Sequence, residues 1–169
     1  MKNIVLIGMP GCGKSTLGKK VALKLGLPFY DADEVLEERE QRTIKNFFAE
    51  SENAFRDAET RTLKHMAKTL QGCVIATGGG AVKREINMEL MGENGIIVFI
   101  DREPQKILSC IGGDARPLLA EDKQRIFNLY NERISLYRKY GEEVVDNNVT
   151  EDEALEALCK IAMKENSKA

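Results

Sequence analysis

The stretch IVLIGMPGCGKSTLGKK, residues 4–20, decides the fold of this chain. Within it, GMPGCGKS at residues 8–15 fits the phosphate-binding pattern GxxxxGK(S/T), after a short apolar run and before an amphipathic helical pattern. Glycines in such a loop let successive N–H groups point at phosphate oxygens, and the positive end of the following helix adds to the attraction. We therefore expect the phosphates of a nucleotide to be bound by Gly11, Cys12, Gly13, Lys14, Ser15 and Thr16.

Two side chains of this loop have predictable tasks. Lys14 is expected to reach the β- and γ-phosphates, and the Ser15 hydroxyl to ligate Mg²⁺. The loop does not identify the acceptor, because kinases, GTPases and motors share it. The phosphate could pass to water, to a protein, to another nucleotide or to a small metabolite.

The composition narrows the classes of protein to which the chain could belong. The chain has 169 residues, with 25 basic and 27 acidic side chains and a formal charge of −2. This balance argues against a nucleic-acid or membrane-surface protein. The apolar run at residues 4–7 is too short for a signal peptide, and no stretch approaches the length of a membrane span. The four cysteines lie far apart without a CxxC pair, which favours reduced thiols in a cytoplasmic protein.

The pattern along the chain predicts an α/β protein. Short apolar runs alternate with helical patterns, as in a parallel sheet covered by helices on both faces. We expect one domain over residues 1–169, with a three-layer P-loop fold and a mobile lid at about 112–121. The five expected strands lie in NIVLIG, PFYD, CVIATGGG, GIIVFID and EEVVD, and the expected helices include about 14–25, one from about Ser51, one with Pro104 in its first turn, 122–140 and one capped by Thr150 and Glu153.

Acidic residues end two of these strands. Asp31 and Asp33 in FYDAD follow the second strand, at the edge where open α/β sheets bind ligands. One carboxylate could support the water shell of magnesium and the other could accept a proton, although acidic residues also start helices routinely. Asp101 ends the fourth strand and resembles a magnesium-binding position, but its distance from Pro104 favours a helix cap.

Three arginines and a glycine triplet point to the acceptor. Arg56 begins a helix, which is a poor place for a cation, Arg116 lies in a glycine-bearing loop, and Arg133 lies inside the long helix. Each alone could be a solvated surface residue. TGGG at residues 77–80 ends a strand with room for a ligand to approach the backbone. Together with the phosphate loop, these groups indicate a small anionic substrate.

The ordered set GMPGCGKST, FYDAD, FRDAE, TGGG, RPLL and ERISLYRKY resembles the shikimate kinase family over almost the whole chain. The resemblance implies the fold of nucleoside monophosphate kinases and transfer of the γ-phosphate of ATP to the 3-hydroxyl of shikimate, in the pathway to chorismate and aromatic amino acids. It implies shikimate and ATP as partners, Mg²⁺ as cofactor and a monomer. The region that binds shikimate would include about residues 32–62.

The resemblance also implies roles for single residues. Lys14, Asp33 and Arg116 would be catalytic, with Arg116 swinging from the lid onto the phosphates of ATP. Ser15 and, through water, Asp31 would hold the metal. Shikimate would be bound by Asp33, Arg56, Gly78, Gly79, Gly80 and Arg133.

Two departures and two alternatives accompany this hypothesis. Cys110 stands where many relatives place an arginine near adenine, which puts the adenine contact in doubt, and Ser51 replaces a common glycine at a helix entry. A gluconate kinase is the nearest alternative enzyme, and a non-catalytic nucleotide-binding regulator is the alternative from another class. Arg56, Arg133, the glycine triplet and RPLL favour shikimate over gluconate. Asp33, the two arginines and the lid argue against a regulator, which needs no pocket for a small acid.

Overall fold

The sheet is built from five parallel strands. The computed structural model describes residues 1–111 and 120–167. In this part the strands are β1 (Asn3–Ile7), β2 (Phe29–Asp31), β3 (Val74–Ala76), β4 (Gly95–Asp101) and β5 (Glu143–Asp146). Their order in the sheet is β2-β3-β1-β4-β5. Because β1 lies between β3 and β4, the loop that leaves its carboxyl end has a neighbouring strand end on each side, and ligands bind at this edge of open α/β sheets.

The apolar runs of the sequence form the centre of the sheet, as predicted. All five residues of β1 are buried, and β4 is buried until its last residue, Asp101. A strand buried on both faces reads as a continuous apolar run, because helices cover the sheet from both sides.

Helices connect the strands, and most begin where the sequence predicts. Ser51 and Thr150 cap their helices: Ser51 Oγ accepts a hydrogen bond from Ala54 N, and Thr150 and Glu153 form a reciprocal capping box. Ser51 thus adjusts a helix entry, as expected. The helices are α1 (Lys14–Leu25), α2 (Ala32–Glu40), α3 (Ile44–Glu50), α4 (Glu52–Thr69), α5 (Glu85–Glu93), α6 (Pro104–Ile111), α7 (Ala120–Tyr140) and α8 (Glu151–Asn166), with a 3-10 turn at Ala81–Lys83.

The sequence analysis missed α5 and misjudged one cap. The expectation that Asp101 caps α6 is wrong. The carbonyl of Glu103 accepts hydrogen bonds from Lys106 N and Ile107 N, so Glu103 is the N-cap residue of the helix that begins at Pro104. Asp101 Oδ1 is buried and finds no hydrogen-bond partner within residues 1–111 and 120–167. Burial raises the pKa of this carboxyl, and Arg138 partly opposes the shift.

A second, smaller core lies outside the main one. Leu36, Phe47, Phe55 and Ala58 are buried against one another, between α2, α3 and α4. This region corresponds to the helical segment that the sequence analysis assigned to the acceptor, and its separate core gives those helices their own rigid packing. None of the helices in the described ranges is long and apolar enough to cross a membrane.

Candidate active site

The phosphate loop joins β1 to α1 at the centre of the sheet edge. Gly8, Gly11 and Gly13 all have positive φ angles, and no side chain caps the amino end of α1, where Gly13 is the N-cap residue. The N–H groups of the first turn are therefore available to an anion, and the helix dipole favours negative charge there. The structure places the predicted phosphate-binding residues at this helix end.

Lys14 lies across the loop. Its Nζ atom donates to the carbonyl oxygens of Gly8 at 2.8 Å and of Met9 at 2.9 Å, and the residue is only 7% exposed. The ammonium group is thus held above the concave side of the loop by the loop's own backbone. A cation fixed there can stabilise charge on a phosphate group without first having to be ordered.

Ser15 and Asp31, the two residues expected to hold the metal, are in direct contact. Ser15 Oγ donates to Asp31 Oδ2 at 2.7 Å, while Asp31 Oδ1 accepts from Asp33 N at 3.0 Å and so caps α2. A hydroxyl and a carboxylate are the oxygen ligands that Mg²⁺ prefers, and Mg²⁺ keeps several waters when it binds a nucleotide. In the described part of the chain, no cluster of three or more His, Cys, Asp or Glu side chains could hold a metal by itself. The residues fit a magnesium ion shared with phosphates and water.

A cleft of about 410 Å³ opens beside the phosphate loop. Pro10 of the loop forms one wall, and α4 and α7 supply charged side chains. The predicted acceptor residues Asp33, Arg56, Gly78, Gly79, Gly80 and Arg133 all line it. The structure therefore brings together residues that lie far apart in the sequence.

Two of the arginines that line this cleft, Arg56 and Arg133, are buried yet incompletely paired. The side chains of Arg56 and Arg133 are each 9% exposed. Arg56 Nη1 donates to Glu59 Oε2 at 2.8 Å, but the Nε atoms of both arginines lack a hydrogen-bond partner in the described ranges. Buried guanidinium groups with unused donors favour a carboxylate ligand, because each unpaired donor is costly and a carboxylate accepts two parallel hydrogen bonds.

Gly80 is required by the position of Arg56. A Cβ atom on Gly80 would lie 2.2 Å from Arg56 Nη2, so any side chain at this position would displace the guanidinium group. Gly78 is close to two carboxylates, since a Cβ there would lie 3.0 Å from Asp33 Oδ1 and from Glu59 Oε1. The glycine triplet thus brings backbone, arginine and carboxylates to one small volume.

Two carboxyl groups in the cleft have raised pKa values. Burial raises the pKa of Asp33 and the charge of Asp31 adds to the shift, while Lys14 and Arg56 oppose it. Burial also raises the pKa of Glu59, against the effect of Arg56. A carboxyl group whose pKa is raised toward neutral pH is a better proton acceptor than an ordinary aspartate.

Sequence reasoning missed Glu59, the aromatic wall and one anchor of the glycine triplet. Phe48 and Phe55 line the cleft with ring centroids 4.5 Å apart. Tyr137 is fully buried and donates from its hydroxyl to the Gly79 carbonyl at 2.6 Å. Glu59 could have been found, because it lies one helical turn after Arg56 on α4.

The predicted lid falls mainly on residues that the structure does not describe. Arg116 and most of the segment at 112–121 lie outside the described residues. Cys110, at the end of α6, is exposed and accepts a hydrogen bond from Arg102 Nη2 at 3.0 Å. A guanidinium group therefore does lie beside position 110, although it comes from another residue.

Comparisons with known proteins agree on one family. The family model described as shikimate kinase matches residues 10–162. A shikimate kinase from Clostridium botulinum (strain Eklund 17B / Type B) is 48% identical over 95% of this chain and 98% of its own length. One from Clostridium beijerinckii is 41% identical over 87% of each chain.

Solved structures give the same result. The shikimate kinase from Acinetobacter baumannii in complex with shikimate has a TM-score of 0.81 and 31% identity, covering 99% of this chain and 92% of that one. The enzyme from Aquifex aeolicus has a TM-score of 0.80 and 33% identity, with 98% of both chains covered. A gluconokinase from Sinorhizobium meliloti has a TM-score of 0.60 at 18% identity, over 99% of this chain and 97% of that one, which shows a shared fold alone.

Proposed function

The chain belongs to the shikimate kinase family, and we propose that it transfers the γ-phosphate of ATP to the 3-hydroxyl of shikimate, releasing ADP and shikimate 3-phosphate. One observation carries this proposal more than any other: two buried arginines with unused donors, Arg56 and Arg133, lie in one cleft beside the phosphate loop. The product leads toward chorismate and the aromatic amino acids. The gluconate kinase and regulator alternatives are not favoured, because the family match covers most of the chain.

The nucleotide side of the reaction falls to the phosphate loop. Backbone N–H groups of residues 11–16 bind the phosphates, and Lys14 stabilises the charge on the transferring phosphoryl group. Ser15 and, through water, Asp31 would hold Mg²⁺, and the contact between these two side chains supports this assignment. The metal, when bound, neutralises charge on the β- and γ-phosphates. Arg116 closes from the lid onto the phosphates and helps to exclude water.

The acceptor side falls to the cleft. Arg56 and Arg133 bind the shikimate carboxylate by charge-assisted hydrogen bonds, and the backbone of Gly78, Gly79 and Gly80 lines the ring site. Asp33 orients the ring hydroxyls and accepts the proton of the 3-hydroxyl as its oxygen attacks the γ-phosphorus. The raised pKa of Asp33 supports its role as proton acceptor. The charge of Lys14 lowers the same pKa, so Asp33 interacts electrostatically with the phosphate loop as well as with the acceptor cleft.

The protein as a whole is proposed to act as a single-domain, cytoplasmic monomer over residues 1–169. The four cysteines are unpaired, with Cys12, Cys73 and Cys159 buried and Cys110 exposed, which suits a reducing compartment.

A coupled ADP-release assay tests the proposed function. The unmodified protein is supplied with ATP, Mg²⁺ and one acceptor at a time: shikimate, quinate, gluconate or a nucleoside monophosphate. Shikimate should give the highest kcat/KM. A higher kcat/KM with gluconate, or ADP release that does not depend on any acceptor, would overturn the proposal.

A further inference from the structure

Asn147 connects the end of the sheet to the phosphate loop. It is the first residue after β5, and its backbone N–H donates to the Asp101 carbonyl, the last of β4, at 2.8 Å. Its side chain is directed at the loop, where Nδ2 donates to the Cys12 carbonyl at 2.7 Å. Asn147 is 7% exposed, so both bonds are shielded from water. The strand ends of β4 and β5 thereby fix the position of one loop carbonyl.

Fixing this carbonyl also fixes the direction of the next N–H group. The Cys12 carbonyl and the Gly13 N–H belong to the same planar trans peptide, so they point in opposite directions. With the oxygen held toward Asn147, the hydrogen of Gly13 must point to the other side. In the described residues this N–H has no protein acceptor, which leaves it free for a phosphate oxygen.

The contact with Asn147 also leaves no room for a side chain at position 13. Gly13 has a φ of 100°, and a Cβ at this position would lie 2.7 Å from Asn147 Nδ2. Glycine is the residue that can adopt this backbone conformation at little cost, but it also allows the peptide to rotate. The asparagine bond removes that freedom at the point where the loop becomes α1.

We propose that Asn147 is a positioning residue for phosphoryl transfer, which holds the Cys12–Gly13 peptide so that the Gly13 N–H faces the nucleotide phosphates. This inference rests on the proposed function only in taking the nucleotide to bind at the loop. Asn147 itself touches no phosphate, and it acts through the loop backbone. Its effect is on the phosphates and not on the shikimate carboxylate.

Two variants test the proposal. Asn147→Leu removes the donor, and Asn147→Asp keeps the size of the side chain but offers a carboxylate that cannot donate when ionised. Calorimetric titration of ADP without shikimate should show a dissociation constant about 3- to 10-fold higher in Asn147→Leu, the range for loss of a typical hydrogen bond. Asn147→Asp should lose at least as much, because it also adds a negative charge near the phosphates.

Pyrophosphate, used as a competitive inhibitor against ATP, separates an effect on phosphate binding from an effect on adenine binding. Its inhibition constant should rise by the same factor as the ADP dissociation constant, because it has no base. Binary shikimate affinity should stay within about twofold.

Asn3 provides the matched control. It is a buried asparagine at the opposite end of β1, where its side chain donates to the Leu70 carbonyl and accepts from Cys73 N. Asn3→Leu should lower the melting temperature and leave ADP affinity unchanged. If the Asn147 variants behave in the same way, or if pyrophosphate binding is unaffected, the proposed role is wrong. ADP binding is measured without an acceptor, so these results do not depend on whether shikimate is phosphorylated.

Discussion

Arg56 and Arg133 are predicted to contribute equally to shikimate binding but unequally to stability. Replacing either with leucine removes a charge-assisted hydrogen bond to the carboxylate, which is worth about 1.5–3 kcal/mol. If the loss falls on binding alone, the KM for shikimate rises roughly 10- to 150-fold in each variant. The affinity for ADP without shikimate should change less than about twofold, because neither arginine belongs to the phosphate loop.

The difference in stability between the two variants follows from the ion-pair partners of Arg56 and Arg133. Arg56 Nη1 lies 2.8 Å from Oε2 of Glu59, whose side chain is 4% exposed, so Arg56→Leu leaves a buried carboxylate unpaired. Breaking a buried ion pair costs about 3–5 kcal/mol, and protonation of Glu59 will offset part of this. Arg133 Nε lies 3.9 Å from Oε1 of the half-exposed Glu132, a contact of little strength. Arg133→Leu should therefore reduce stability much less than Arg56→Leu.

The assay combines three measurements on three variants. Shikimate KM is measured by coupled ADP release at saturating ATP, ADP affinity by calorimetric titration without shikimate, and the free energy of unfolding by urea titration at pH 7. Arg61→Leu is the control, because Arg61 lies on the same helix and pairs with Glu40 at the surface, with 56% of its side chain exposed. It should leave KM unchanged and cost at most about 1 kcal/mol. Equal weakening of shikimate and ADP, or an unchanged KM in both cleft variants, would refute the assignment of these arginines to the carboxylate.

Three further predictions concern single residues. Lys14→Met should lower kcat by at least about 10²-fold while the protein still melts cooperatively, and near-normal turnover would refute its role at the phosphoryl group. Ser15→Ala should raise the Mg²⁺ concentration that gives half-maximal rate, whereas an unchanged magnesium titration would remove Ser15 from the metal site. The pKa of Glu59 in the folded state lies above its ordinary value of 4.5, so the folded state binds the Glu59 proton more tightly than the unfolded state does. The contribution of Glu59 to the free energy of unfolding therefore falls as the pH rises from about 4.5 through the raised pKa. Urea titrations at several pH values should therefore show the native protein gaining stability relative to Glu59→Gln as the pH falls from 7 toward 4.5, and a constant or opposite difference would contradict the assigned shift.

The sequence predicted those parts of the fold and site that depend on local patterns. The phosphate loop, the buried runs of β1 and β4, the start of a helix near Ser51 and the capping box at Thr150 each follow from residues within a few positions of one another. Arg56 could be identified as a candidate because a cation at the start of a helix interacts unfavourably with the helix dipole, so its presence there indicates another role. For residues of this kind, local physical chemistry is sufficient.

Residues that act over long separations could not be found in this way. Asn147 and Cys12 are 135 positions apart, and their hydrogen bond depends on the order of strands in the sheet. Tyr137 is a buried residue of α7, and its bond to Gly79, 58 positions away, is a role that helical spacing cannot indicate. The error at Asp101 has a different, local origin. The strand ends at Asp101 as predicted, but α6 begins at Pro104, so the N-cap position belongs to Glu103, directly before the proline.

Phosphorus NMR of the complete reaction tests the central claim most directly. The unmodified protein is mixed with ATP, Mg²⁺ and shikimate, and the ³¹P spectrum is followed with a parallel sample of Lys14→Met. We predict that a phosphomonoester signal appears in step with the β-phosphate signal of ADP, that heteronuclear correlation assigns it to the 3-position of shikimate, and that the variant forms it at least about 10²-fold more slowly. Inorganic phosphate in place of the ester, or an ester at another position of the ring, would contradict the account.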